Sequence, residues 1–180
     1  MPRPSCKDLI LDAAEAVVME GGAARLTLDA VAEKAGVSKG GVLYHFPTKE
    51  ALHVGMIARL INHSYARRET TLQSLPETPS RAVKAELISL LLGRDSDDRV
   101  SAAMLAAIAN EPQLMSTVRE YNEKRFEGHK SPAEMFERKA LLLLAADGLF
   151  LMELLQVSPF SHEQRKKLVD ELLHMADNVS

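Results

Sequence analysis

Tryptophan is absent from this 180-residue chain, cysteine occurs once, and aromatic residues make up only 4%. Each scarcity excludes something. Cys6 has no partner within the chain, so an internal disulfide framework is ruled out and a reducing compartment fits. With few aromatics and plentiful Leu, Ala and Met, the composition favours helices over sheets, because those side chains lose little freedom in a helix. No apolar run is long enough to span a bilayer: the longest, Ala140 to Met152, is broken by Asp147. The opening residues carry no basic end followed by an apolar stretch, so no secretory signal is expected and a cytoplasmic location is. A general excess of positive charge is missing too, the formal net charge being −3. What is present is 46% hydrophobic and 26% charged residues, the profile of a globular domain rather than a disordered segment.

Punctuation along the chain predicts an all-α protein of about nine helices, with no convincing strand. Ser5 and Asp8 form a capping pair before Leu9, Ile10, Ala13, Ala14, Val17 and Val18, which repeat at helical spacing, and Gly21-Gly22 stops that helix. Thr27 caps a second helix, Gly36-Val37-Ser38 is a tight turn, and a short third helix spans Lys39 to about His45 before Pro47. Thr48 caps a fourth, longer helix through Leu52, Met56 and Leu60. Residues 75–80 read as a loop, with Thr78-Pro79 opening a helix that ends at Gly93, and 95–98 as a solvated turn. Asn110-Glu111-Pro112 opens a further helix closed by Glu127-Gly128. Ser131-Pro132-Ala133-Glu134 is a strong start signal for a helix running to about Gln156, and Ser161 with Gln164 caps a last one ending near Asp177. The division expected is a first domain over residues 1–50 and a second over 51–180. Internal repeats and low-complexity tracts are not seen.

Residues 27–46 carry the chemistry. Two short helices joined by a three-residue, glycine-bearing turn are the helix-turn-helix arrangement. Ala32 and Ala35 let the helices cross closely, Val37 plugs the corner, and Val42 with Phe46 anchors the second helix, turning its other face outward. That face offers Lys39, Gly40, Gly41, Tyr44 and His45. Paired glycines weaken a helix, so they need a reason, and close approach to a base edge or DNA backbone is one. Charge is permissive: residues 1–70 hold nine Lys plus Arg against eight Asp plus Glu, but the stretch from Lys34 to Lys49 has three lysines and no acid. A tight corner in an ordinary helical core would share the apolar spacing, yet it does not explain lysine, tyrosine and histidine presented together.

Leu28-Asp29-Ala30-Val31-Ala32 through Ala35-Gly36-Val37-Ser38, then Leu43-Tyr44-His45-Phe46 and Thr48-Lys49-Glu50-Ala51-Leu52, resemble the DNA-binding domain of the TetR (tetracycline-repressor-like) family. The resemblance covers residues 5 to about 55. It implies a homodimer that binds a palindromic double-stranded operator and represses transcription, and a helical ligand-binding domain whose last two long helices dimerise. It also implies phosphate contacts for Thr27, Tyr44 and Lys49, and places Lys39, Gly40, Gly41 and His45 near bases. The capping residues Ser38 and Thr48 complete the expected DNA-contacting set. Leu143-Leu144-Ala145-Ala146-Asp147-Gly148-Leu149-Phe150 is similar to the multidrug-responsive branch of the family, which implies release of DNA by a small hydrophobic ligand.

The helix expected over residues 132–156 is apolar nearly all round at its centre, through Leu141 to Leu144 and Leu149 to Leu151. Such a helix must be covered on every side, by its own domain and by a second copy, or else within a monomer. Leu168, Leu172, Leu173 and Met175 give the final helix a matching stripe. Asp147 within the apolar run has two readings: a structural partner for an arginine, or a counter-charge for a cationic ligand. Met56, Met104 and Met115, together with Phe150, join Asp147 as expected pocket residues, since thioethers adapt to varied ligands; plain core is the alternative for each methionine. A rival of another class is a di-metal helical-bundle enzyme using Glu50/His53 and Glu171/His174, two Glu-x-x-His pairs that would need further inward carboxylates. No nucleophile–base arrangement or glycine-rich phosphate loop occurs, so neither catalysis, a metal, a cofactor nor a membrane is expected.

Overall fold

The computed structural model describes residues 5–93, 97–130 and 135–178. Nine α-helices and no strand run through them: α1 (Cys6–Gly21), α2 (Leu28–Ala35), α3 (Lys39–His45), α4 (Lys49–Ser74), α5 (Arg81–Leu91), α6 (Asp97–Asn110), α7 (Met115–Glu127), α8 (Phe136–Leu154) and α9 (His162–Asp177). Two 3-10 turns, Ala23–Arg25 and Pro112–Leu114, precede α2 and α7. The all-α expectation holds.

Local chemistry sets most boundaries. Ser5 Oγ accepts from Asp8 N at 3.1 Å and opens α1, while Gly22 ends it at φ 75°. At the far end of the chain Ser161 and Gln164 bond reciprocally, each side chain to the other's backbone N–H, so α9 starts on a full capping box. The start of α5 differs from the sequence expectation. Thr78 to Ser80 form a turn closed by Arg81 N donating to Thr78 O, and the first α-type bond runs from Lys84 N to Ser80 O. Pro79 brings no N–H of its own, and the helix begins after that turn. Likewise Asn110-Glu111-Pro112 leads into a 3-10 turn before α7 begins at Met115. The start signal at 131–134, and part of the turn expected at 95–98, lie outside the described residues.

The chain forms two compact units, residues 1–61 with 96–119 and residues 62–95 with 120–180. The change from one to the other falls inside α4 and again inside α7, so residues 75–80 are a loop within the second unit. In the first unit α1 lays Ile10, Leu11, Ala14, Val17 and Val18 against Val31 of α2, Val42 of α3, Leu52 and Met56 of α4 and Met104 of α6, all buried. Helix α4 comes very close to Phe46 at Gly55: a Cβ there would lie 2.6 Å from the Phe46 ring, so glycine is what the approach allows. His53 is buried in the same unit, with Nδ1 3.0 Å from Glu111 Oε2.

The second unit packs α5, α8 and α9 together. Val83, Leu87 and Leu91 meet Leu142, Leu143, Ala146 and Leu149, with Val169 and Ala176 of α9 closing the cluster. Only that half of α8 is covered. Leu141 is 66% exposed, Leu144 56%, and Leu151, Met152, Leu168 and Met175 also face outward. Leu141, Ala145, Leu172 and Met175 line an apolar groove of about 440 Å³ between α8 and α9. No described helix is long and apolar enough to cross a membrane.

Candidate nucleic-acid interface

The interface is built from three caps and a glycine turn. Thr27 Oγ1 accepts from Ala30 N, Ser38 Oγ from Gly41 N and Thr48 Oγ1 from Ala51 N, each at 3.1 Å, which fixes the starts of α2, α3 and α4. Between α2 and α3, Gly36 takes the left-handed conformation at φ 66°, ψ 29°, and Val37 N donates back to Ala32 O at 3.1 Å. Those bonds satisfy the last carbonyls of α2 and let the chain turn within three residues. Val42 and Phe46 are buried, so α3 is rolled with its opposite side to solvent.

On that side Ser38, Lys39, Gly40, Leu43 and Tyr44 are exposed, with Gly41 and His45 half-buried. Tyr44 stands out at 84% exposure, its ring edge-on to His45 with centroids 5.0 Å apart. The fold has no need of the two glycines in α3. A Cβ at Gly40 or Gly41 would meet nothing closer than 3.5 Å, and neither has a positive φ. Lys39 Nζ lies 2.9 Å from Asp29 of α2, so the lysine is held at the front of the turn, a pairing the sequence reading missed. Lys34 pairs with Glu20. Lys7 sits over the Phe46 ring at 5.9 Å and adds a further cation to this unit. Thr48 is exposed and Lys49 half-buried at the start of α4.

The five residues expected to line a pocket fall in different settings. Met56 and Met104 pack inside the hydrophobic core of the first unit, and Met115 is exposed there. Asp147 and Phe150 belong to the second unit, on the partly exposed side of α8. Asp147 has an arginine partner: Arg125 Nη1 donates to its Oδ2 at 2.8 Å. Arg125 continues into a buried seam that sequence reasoning did not find. Its Nε donates to Glu86 Oε1 at 2.7 Å, Arg68 Nε lies 2.7 Å from Glu86 Oε2, and His129 Nε2 lies 3.9 Å from the same oxygen. Burial pushes the Glu86 carboxyl up, but His129, Arg125 and Arg68 together outweigh it and hold the group below the usual glutamate range. Burial likewise works against charge on Arg125, and Asp147 with Glu86 overcomes it, so the guanidinium is held firmly protonated. Tyr121, which shares a 3.3 Å hydrogen bond with Ser64, is pushed up by burial. A signal was available: Tyr121, Arg125 and His129 recur every four residues, and Glu86 falls on the face of α5 that Val83 and Leu87 bury.

The pairs needed by a di-metal site are placed otherwise. His53 is bonded to Glu111, and Glu50, Glu171 and His174 are exposed. Among the described residues no three His, Cys, Asp or Glu side chains gather as metal ligands would.

Comparison with known proteins agrees with this geometry. Residues 10–54 match the family model described as bacterial regulatory proteins, tetR family, and residues 80–177 match the one described as tetracyclin repressor-like, C-terminal domain. The chain belongs to the TetR family. Within it, the HTH-type transcriptional regulator RutR of Escherichia coli strain K12 is 30% identical over 110 residues, covering 61% of this chain and 51% of RutR. The HTH-type transcriptional regulator EthR of Mycolicibacterium smegmatis is 26% identical over 115 residues, covering 62% of this chain and 53% of EthR. The matches thus span about half the length of these curated relatives. A transcriptional regulator from Rhodococcus sp. Rha1 shares the fold over 97% of both chains, with a TM-score of 0.71 at 24% identity. The multidrug binding protein EbrR, solved in complex with imidazole, superposes with a TM-score of 0.69 at 25% identity over 94% of this chain and 96% of EbrR.

Proposed function

We propose that this TetR-family chain is a ligand-responsive transcriptional repressor. It binds a palindromic operator as a homodimer and is released by a small organic ligand held in the second unit. The observation that carries the reading is the outward face of α3. Tyr44 is almost fully exposed, Lys39 at the start of the same helix is exposed and paired with Asp29, and two glycines that the fold does not need leave the helix surface low. A surface of that kind fits a major groove, where phosphate contacts by Thr27, Ser38, Tyr44, Thr48 and Lys49 set register and Lys39, Gly40, Gly41 and His45 meet base edges.

The dimer reading is supported by the apolar side of α8 and α9. Leu141, Leu144 and Met175 stand in solvent around an apolar groove, which a second copy related by a two-fold axis would cover. Two copies would carry two α3 helices, one for each half of a palindrome. The ligand reading is supported by the polar seam of the second unit and by the likeness to EbrR, described as a multidrug binding protein. Helix α4 is continuous from Lys49 to Ser74 and carries Arg68 of that seam, so a change at Arg68 can be felt at the start of α4. A ligand acts this way only by favouring one arrangement over another.

Selection of genomic DNA fragments by the purified protein, followed by sequencing, tests the proposal. Enrichment of fragments sharing an inverted repeat supports it. Recovery of fragments with no shared sequence counts against operator reading.

A further inference from the structure

We infer that the seam around Arg125 is a receptor for the carboxylate of an organic acid, with Asp147 as the internal group that the ligand replaces. The inference rests on the reading of the second unit as a ligand domain, and it names the class of ligand. Arg125 is buried and its guanidinium is only partly used. Nε bonds Glu86, Nη1 bonds Asp147, and Nη2 is buried without a hydrogen-bond partner among the described residues. The Nε2 of His129, itself 2% exposed, also makes no hydrogen bond among the described residues and faces Glu86 at 3.9 Å.

An arginine can only donate, and it does not lose its proton in a protein. Whatever meets Nη2 must therefore be an acceptor, and a cation brought to this point would be repelled. The two carboxylates already present are unequal. Glu86 is 6% exposed and held by both Arg68 and Arg125, whereas Asp147 is 35% exposed and holds Arg125 through one oxygen. Asp147 is thus the exchangeable partner. A ligand carboxylate that takes Nη1 and Nη2 together forms a two-bond fork where Asp147 forms one bond, and Asp147 can turn to water. The surroundings suit an acid with an apolar body. The Phe126 ring lies 5.5 Å from the guanidinium carbon, and Phe150, one turn beyond Asp147 on α8, packs against the apolar cluster. Exchange also unties α8 from α7, because the Arg125–Asp147 bond joins those two helices.

The test uses the full chain with octanoate and benzoate, their amides octanamide and benzamide, and benzyltrimethylammonium, followed by calorimetry. The wild type is expected to bind at least one carboxylate ten-fold or more tightly than its amide. Asp147→Asn, which weakens the internal competitor, is expected to tighten that binding at least three-fold, and His129→Leu to weaken it. Carboxylate and amide binding alike, or Asp147→Asn lowering carboxylate affinity, overturns the inference. Operator release, followed separately by fluorescence anisotropy, tells the two readings apart. A carboxylate that binds with this Asp147→Asn response but leaves the operator bound keeps the site and overturns ligand-responsive release. Release by benzyltrimethylammonium with no carboxylate binding keeps the regulator and overturns the acid site.

Discussion

The two compact units distribute polarity in opposite ways. The first buries aliphatic side chains from α1, α2, α3, α4 and α6 and places its lysines, Tyr44 and the caps outside; its buried histidine, His53, is bonded to Glu111. The second buries Glu86, Arg125 and His129 and leaves Leu141, Leu144 and Met175 in solvent. Burying charge contributes little to stability on its own, since desolvation offsets the attraction. The contrast therefore speaks about roles. An aliphatic core with satisfied caps makes a rigid presenter of one surface, while a polar interior with an apolar exterior suits a unit that meets a ligand inside and a second copy outside.

Substitutions can break that contrast. The largest effect is expected from Arg125→Met, which takes one of two arginines from the buried Glu86 and the hydrogen-bond donor from Asp147. It should lower stability by about 3–5 kcal/mol in urea unfolding, and a loss under 1 kcal/mol would show that the seam is not closed. Met56→Ala, in the aliphatic core, should cost about 2–5 kcal/mol by cavity formation. Leu144→Arg should leave the fold of the second unit intact, since the residue stands in solvent, but yield monomers in analytical ultracentrifugation. Wild-type protein that is itself monomeric at micromolar concentration while binding its operator tightly would contradict the dimer reading.

Acid sharpens the comparison. The folded Glu86 carboxyl sits below its ordinary value of 4.5, so its contribution is fully present above that value and is lost as pH falls through the lower, folded one. Stability measured below about pH 4.5 should therefore fall less steeply in Glu86→Gln than in wild type. The smallest effect concerns one phosphate. Lys49→Ala should reduce the slope of log affinity against log salt by about 0.9, across all operator sequences alike. An unchanged slope in a folded variant removes Lys49 from the contacts.

Much of the first unit was legible because its determinants are local. Thr27, Gly36, Ser38 and Thr48 act on backbone groups within four residues, and each does in the structure what its type and position foretold. The second unit was less so. Arg125 meets Glu86 across 39 residues and Asp147 across 22, and composition does not pair charges at that range. Spacing showed that α8 is apolar all round but not which half its own unit covers. Methionine chemistry is the same in a core as in a pocket, and burial alone put Met56 and Met104 among aliphatic neighbours.

The account turns on α3 reading DNA through a surface kept low by glycine. Gly41→Leu tests this most directly, because a Cβ at Gly41 makes only ordinary contacts, the nearest at 3.5 Å to Ser38. Binding of wild type and variant to the selected operator, and to random DNA of equal length, should be measured at one salt concentration. The account predicts an unchanged unfolding transition, an intact dimer, and loss of the operator's advantage over random DNA. A folded Gly41→Leu protein that still prefers the operator as strongly as wild type would contradict it.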